Sequence, residues 1–399
     1  MLRRTVPPLA ARTHDARDGG GPLSAPRLLR PGTPDRAGLD PDEIGRLVAE
    51  VADLTRGPRP WCAGAVVLVG RGPVIAAEEA AGWAVRYASY DPETDRGVEL
   101  PPEWRVPMRT STPFDLASLT KLFTTVAAVQ QLERGTLGID ALVGAYVPEF
   151  TAAAQHRITV RQLLTHTSGL RPELPLYDCA DDAARLAALR AEAPVTAPGT
   201  YVYSDLNMLL LQHILERLTR RPLDDLIREG ITRPLGMTAT GFGPRPDAAA
   251  TEDQRRPWAK ADRGMLRGTV HDENAWALGG VAGHAGLFST ARDLAVLCRT
   301  LLCGGSYGRA RILGPDFVEL MLAGSGLGFG IDQPWFMGEL AGRGAAGHTG
   351  FTGTSLVLDP STDTFLVLLA NTVHPRRRAP DNAPRVAAAT RLARAARGR

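Results

Sequence analysis

The sequence predicts an α+β fold: an antiparallel β-sheet built from the N- and C-terminal segments and flanked by helices, with a mainly helical subdomain inserted between them. Short apolar runs bounded by turn residues occur near both ends of the chain, at Ala63–Val69 and again after Gly344. Between them, apolar residues recur at the 3.6-residue period from Ser118 to about Met237. Strands at both ends with helices between them require the terminal pieces to pair with each other.

Residues 1–38 are rich in Arg, Pro and Gly and show no apolar period, which reads as a flexible leader. Order is expected from Asp40, which caps a helix with Pro41 at its first position and Glu43 three residues on; Ile44, Leu47, Val48, Val51 and Leu54 then follow at helical spacing up to Gly57. Ala63–Val69 and Val74–Trp83, joined by Gly70-Arg71-Gly72-Pro73, form a hairpin. In the middle, Leu119, Leu122, Val126, Val129 and Leu132 share one helix face that ends at Gly135. Thr159 opens a short second helix, Ser204 or Asp205 caps a third, and Pro222 starts a fourth. Gly-rich loops follow at 264–286, then a helix over Ala291–Leu302. Strands are expected at Gly344–His348, Thr354–Asp359 and Thr364–Asn371, with a closing helix at about 384–397. One catalytic domain would then span 39–399, its sheet from 39–117 and 287–399 and its helical subdomain and active-site loops from 118–286.

Composition narrows the function. The 399 residues, 44% of them apolar, allow a large core. With 46 basic against 43 acidic residues the net charge is +3, and no dense Lys/Arg stripe offers itself to a phosphate backbone, so nucleic acid is not an expected partner. Cys62, Cys179, Cys298 and Cys303 lack zinc-site or redox spacing and read as reduced thiols. Pro7 and Pro8 interrupt the first apolar stretch, the Arg3-Arg4 pair alone is a weak export signal, and no run reaches the ~18 apolar residues of a membrane span. The expected compartment is the cytoplasm.

The chemistry gathers around Ser118-Leu119-Thr120-Lys121. Three residues apart at a helix start, Ser118 and Lys121 project from one face, so an amine can activate the hydroxyl without a histidine. The helix N-terminus beside Ser118 favours a developing oxyanion. Only one other lysine, Lys260, occurs in the chain. The flanking Leu119, Leu122 and Phe123 would desolvate Lys121 and disfavour its charge.

Two further segments follow in order: Tyr203-Ser204-Asp205 at a loop-to-helix junction, and Gly347-His348-Thr349-Gly350 on a late strand. Together the three resemble the serine β-lactamase and penicillin-binding-protein family, most of all its class C and family VIII carboxylesterase branch. The phrases at 158–170, 233–237 and 279–290 are similar to that family as well, and the resemblance covers about residues 40–395. It implies Ser118 as the acylated nucleophile, Lys121 as an aid in removing its proton, and Tyr203 as partner base and later acid. The backbone N–H groups of Ser118 and Phe351 would form the oxyanion hole, and Asp205, His348, Thr349 and Gly350 would contact substrate. No cofactor and no metal are implied, and the division of labour between Lys121 and Tyr203 stays open.

Two departures bear on substrate. Asp205 stands where antibiotic-hydrolysing members carry an amide, and a carboxylate there favours an ammonium on Lys121, which moves the base role towards Tyr203. His348 replaces a lysine, removing the charge that would grip a β-lactam or peptide carboxylate; Arg343 is a candidate to compensate.

The expected function is therefore a serine acyl hydrolase acting on a small-molecule ester or amide. The alternative is a transacylase that passes the acyl group to an amine or alcohol, as in specialised-metabolite assembly. A β-lactamase or D-Ala-D-Ala carboxypeptidase ranks below both, and a catalytically silent binding module of the same fold stands as the reading from another class. Oligomeric state is not legible.

Other signals read as structure. Gly304–Gly308 matches G-x-S-x-G, but a helix and not a strand precedes it. His271-Asp272-Glu273-Asn274 with His284 contains metal-ligand types without metal-site spacing, and reads as a hydrogen-bonded cleft wall. His166 and Ser168 read as a helix end, Arg376–Arg378 as a solvated loop, and Trp276 as either packing or an acyl-pocket wall.

Overall fold

The computed structural model describes residues 28–397. An eight-stranded sheet contains β1 (Arg30–Pro31), β2 (Gly64–Arg71), β3 (Val74–Val85), β4 (Val106–Pro107), β5 (Gly330–Ile331), β6 (Ala346–Thr349), β7 (Ser355–Asp359) and β8 (Thr364–Ala370). Its order is β1-β3-β2-β8-β7-β6-β5, with β4 paired to β3. The seam between the two ends of the chain is β2 against β8, antiparallel from Ala65↔Ala370 to Arg71↔Thr364.

Both faces of this seam are buried, which explains why β2 and β8 read as continuous apolar runs and not as alternating ones. Val66, Leu68, Phe365, Val367 and Leu369 face the helical insert. The alternate residues Ala65, Val67, Val69, Leu366 and Leu368 face the terminal helices Pro41–Asp53 and Ala383–Arg397. Asp40 caps the first of these, its Oδ1 accepting from Asp42 N at 2.8 Å and Glu43 N at 3.2 Å. Arg391 ties the two helices together through Glu43 and Glu50. Phe365 lies opposite Gly70, where a Cβ would come within 2.2 Å of its ring.

Three expectations need correction. Residues 1–27 of the leader lie outside the described residues, but 28–38 are built into the fold: β1 runs parallel to β3, and Thr33 caps a helical turn over Pro34–Ala37. A two-residue strand has no periodicity to detect, because its partner strand supplies the bonding. The Thr120–Glu133 helix buries more than the one face expected; Thr124, Thr125, Gln130 and Gln131 are buried along with its apolar stripe, because Gly230 and the Asp205–Thr219 helix on one hand and Ile312 and Gly328 of the C-terminal segment on the other lie against it. Ser204 holds the N-cap position of the Asp205–Thr219 helix without capping it, since its hydroxyl donates to Arg171 O instead.

No helix among the described residues is long and apolar enough to cross a membrane. Ser306 lies in a two-strand turn after the Ala291–Leu302 helix, without the strand-to-helix elbow that G-x-S-x-G would need.

Truncating Phe365 to Ala should cost about 3–5 kcal/mol. The measurement is the urea midpoint, which should fall; an unchanged midpoint would refute the seam packing described above.

Candidate active site

The nucleophile turn is built from a short strand, Phe114–Asp115, which pairs with Leu287–Ser289. Ala117 then takes a left-handed backbone (φ 46°), and Ser118 sits in a 3₁₀ turn, Ala117–Leu119, that runs into the helix at Thr120. A non-glycine residue in that region is strained and must be held there. Asp115 does the holding: Oδ1 accepts from Ala117 N at 2.8 Å, Oδ2 accepts from His271 N at 2.6 Å, and its carbonyl accepts from Thr352 Oγ1 at 2.7 Å. The buried carboxylate thus joins the serine turn to the His271 loop, and the carbonyl of the same residue joins it to the loop after β6. Asp115 escaped the sequence reading because an acidic residue three places before a serine carries no signal of its own.

Gly350 allows the same two segments to touch. A Cβ there would stand 2.4 Å from Leu116 O and 2.1 Å from Thr354 Oγ1, so a side chain would push β6 away from the serine. Its position is governed by this close approach.

Ser118, Lys121, Tyr203 and Asp205 come together. Lys121 Nζ lies 2.9 Å from Ser118 Oγ, 2.8 Å from Asp205 Oδ1 and 4.9 Å from the centre of the Tyr203 ring. The lysine is wholly buried. Burial alone would favour the neutral amine, but Asp205 and Tyr203 outweigh it and hold the ammonium above its ordinary range. Of the two opposing effects expected at Lys121, desolvation by its apolar neighbours and pairing with Asp205, the carboxylate prevails. Burial raises the Tyr203 phenol, opposed by the adjacent Lys121 charge and by hydrogen bonding to Lys121 and Ser118.

His348 projects from β6, its Nδ1 2.7 Å from Thr349 O and its ring 6.0 Å from that of Tyr203. Burial and the Lys121 charge push it down to about 4, so at neutral pH it carries no charge to stand in for a lysine. Arg343 does not compensate: it donates to Glu339 O and lies 3.8 Å from Asp359, outside the cleft lining. The arginines that line the cleft are Arg59, Arg378 and Arg385.

The cleft has a volume of about 990 Å³ and includes Ser118, Tyr203, His348, Thr349, Gly350 and Phe351. Tyr201 and Trp335, both exposed, also line it, and neither was singled out from sequence. Trp276 is not among the lining residues; its ring lies under the Arg263 guanidinium. Phe351 is flanked by the His271 ring at 5.6 Å and the Arg377 guanidinium at 5.7 Å.

The arginine run is not a solvated loop. Arg376 stacks on Tyr90 and Trp258, Arg377 pairs with Glu252 and Glu273, and only Arg378 reaches the cleft. Glu252 also bonds His271 Nε2 at 2.8 Å, so this buried charge cluster braces the wall behind Phe351.

His166 is more than a helix end. Ser168 Oγ accepts from Leu170 N and donates to Asn207 Oδ1, which turns the Asn207 amide nitrogen towards His166 Nδ1 at 3.1 Å. Ser204 N also donates to Nδ1 at 3.1 Å. Nδ1 is thereby an acceptor and the proton sits on Nε2. The imidazole, lowered to about 3 chiefly by burial, packs neutral against Tyr203 at 4.7 Å and sets that ring's place.

The Asp205, Asp272 and His284 ligand-type atoms lie within 4.8 Å of one another, the one such grouping among the described residues. Lys121 already occupies the cation position at Asp205, and His284 Nε2 is taken by Asp272 Oδ1 at 3.0 Å. These donor atoms are already engaged with one another and with Lys121.

Known proteins can be set beside this geometry. The family model described as Beta-lactamase matches residues 47–391. A protein of Escherichia coli (strain K12), named "Putative D-alanyl-D-alanine carboxypeptidase", is 35% identical over 313 residues, covering 68% of this chain and 72% of its own. One of the same name from Escherichia coli O157:H7 is 31% identical over 388 residues, covering 87% and 86%. Among solved structures, "EstCE1, a hydrolase with promiscuous acyltransferase activity" superposes with a TM-score of 0.64 at 24% identity, over 88% of this chain and 99% of that one. Simvastatin synthase from Aspergillus terreus gives 0.61 at 22%, over 89% and 94%. The two structural likenesses speak to the fold, whereas the match of the family model over most of the chain shows descent: this protein belongs to the beta-lactamase family of serine hydrolases.

Proposed function

We propose that this enzyme is a cofactor-free serine acyl hydrolase that acts on a small-molecule ester or amide through an acyl-enzyme on Ser118. The observation that carries the reading is the 2.9 Å contact between Ser118 Oγ and Lys121 Nζ, with Tyr203 beside both in an open cleft. With Lys121 an ammonium and Tyr203 a phenol, the resting site lacks a base, so the reactive state has lost one proton, shared by the coupled pair. In that state Tyr203 takes the Ser118 proton as Oγ attacks the acyl carbon. The backbone N–H groups of Ser118 and Phe351 receive the oxyanion, and Tyr203 then protonates the leaving group. Water enters by the reverse sequence and frees Ser118.

The neutral His348 supports substrates without an obligatory carboxylate, ahead of the D-Ala-D-Ala peptides named by the relatives. The cleft volume favours a second reading, transfer to an amine or alcohol, because about 990 Å³ is near the upper end for a single small ligand and leaves room for an acceptor. EstCE1 is described as having both activities. The four cysteines are free thiols, in keeping with a cytoplasmic site of action.

Intact-protein mass spectrometry with p-nitrophenyl esters, nitrocefin, a D-Ala-D-Ala peptide and a D-amino-acid amide, each with and without an amine, tests the reading. A Ser118 adduct that clears in water is expected, and is lost in Ser118→Ala; an adduct that clears only with amine would make the enzyme a transacylase, and no adduct from any substrate would defeat both. Tyr203→Phe should slow acylation by about 10²–10⁴-fold. In wild type, acylation should rise with pH on the alkaline side of neutrality. Asp205→Asn removes the charge that raises Lys121, so this limb should move to lower pH; a limb that stays in place refutes the coupling. Replacing His348 with Lys should improve KM for carboxylate-bearing substrates over their methyl esters. Asp115→Asn should slow Ser118 labelling by about tenfold or more through misplacement of the serine turn, and equal labelling rates would remove Asp115 from that role.

A further inference from the structure

Beside Asp205 lies a second pair of ionisable groups, the buried His284 and the partly exposed Asp272. His284 is 1% exposed, with Nε2 3.0 Å from Asp272 Oδ1 and its backbone carbonyl 3.3 Å from Lys121 Nζ. Its Nδ1 is buried and has no hydrogen-bond partner among the described residues. Asp272 cannot drift, because the same Oδ1 caps the Glu273–Ala277 helix through Ala275 N at 2.7 Å. Two carboxylates with oxygens within 4.8 Å of each other repel unless a cation stands with each. Lys121 serves Asp205, and His284 is placed to serve Asp272 while facing Asp205.

We propose that His284 is a positioning residue for the Ser118–Lys121 pair: held by Asp272 and set beside Asp205, it completes a row of alternating charge, Lys121–Asp205–His284–Asp272, in which it offsets part of the carboxylate field that Lys121 feels. The charges of the row sum to zero. For His284 and Asp272, burial is outweighed: Asp272 and Asp205 raise the imidazole, while His284 and the bond from Ala275 N hold Asp272 well below the usual carboxylate range. The other titratable or charged groups that act on the row are Tyr203, His166 and His348 on the Lys121–Asp205 side, and His271, Asp115 and Arg263 on the Asp272 side. The consequence is a graded control of the catalytic pair. Loss of the His284 charge leaves the site more negative, so its reactive proton comes off at higher pH, opposite in sign to the effect of losing Asp205.

This inference rests on the serine-hydrolase reading for its consequence but not for its charge states, and the test separates the two. Nitrogen-15 NMR of labelled histidines should show His284, assigned by its disappearance in His284→Gln, as an imidazolium at pH 7 in wild type and as a neutral ring in Asp272→Asn. A neutral His284 in wild type overturns the row, as would stoichiometric Zn²⁺ binding that His284→Gln abolishes. The pH dependence of Ser118 labelling by a fluorophosphonate should shift upward by about one unit in His284→Gln, or about tenfold slower labelling on the rising limb. A smaller upward shift is expected in Asp272→Asn, which serves if the first variant does not fold. Superimposable profiles in folded variants overturn the positioning role. Wild type that is labelled at no pH overturns the hydrolase reading alone, with the NMR result still deciding the row.

Discussion

The ammonium of Lys121 has no contact with solvent, and the site is organised around that fact. A buried charge is tolerated only with a partner, and leaving one alone costs about 3–5 kcal/mol. Asp205 supplies the partner from the first turn of the Asp205–Thr219 helix, which places that helix against the start of the Thr120–Glu133 helix and brings Tyr203, two residues earlier, beside the same nitrogen. The pairing that stabilises Lys121 also denies it the neutral form a general base needs. In the proposed mechanism, proton transfer therefore falls to the coupled pair of Lys121 and Tyr203.

Around that centre, neutral rings do the aligning. His166 and His348 both lie near Lys121 and both are uncharged at neutral pH, because burial and the ammonium oppose a second cation there. Each packs near Tyr203, so the phenol is located by stacking while its oxygen stays available for chemistry. Asp115 performs the corresponding task for the nucleophile, tying the strained Ala117 turn to the wall loop at His271 and to Thr352. The sheet provides the rigid base: β6 ends where Gly350 meets Leu116, and this contact requires a residue without a side chain.

Much of this was legible in order along the chain. The terminal strands, the Ala291–Leu302 helix and the serine-to-lysine spacing are local patterns, and the sheet and helix periods report them directly. The conflict between Asp205 and a neutral Lys121 was also legible as chemistry, since two groups that meet in a buried site must share charge. Its outcome depended on distance: at 2.8 Å the carboxylate outweighs burial. Trp276 was placed near the cleft by sequence position alone and Arg343 was a candidate that sequence could not place; both turn away because Arg263, Glu339 and Asp359 offer them partners elsewhere.

By itself, then, the sequence determined the fold class and the Ser118–Lys121 pair, because those rest on periodicity and short spacing, while the family resemblance of its three motifs set Tyr203 and His348 beside them. Tertiary structure alone decided which charges meet. Asp115 with His271 and Thr352, His166 with Ser204 and Asn207, and His284 with Asp272 and Asp205 are contacts across 12 to 237 positions of sequence. No local pattern encodes such pairs, since each forms only when the insert closes over the sheet and removes the water that would otherwise solvate them.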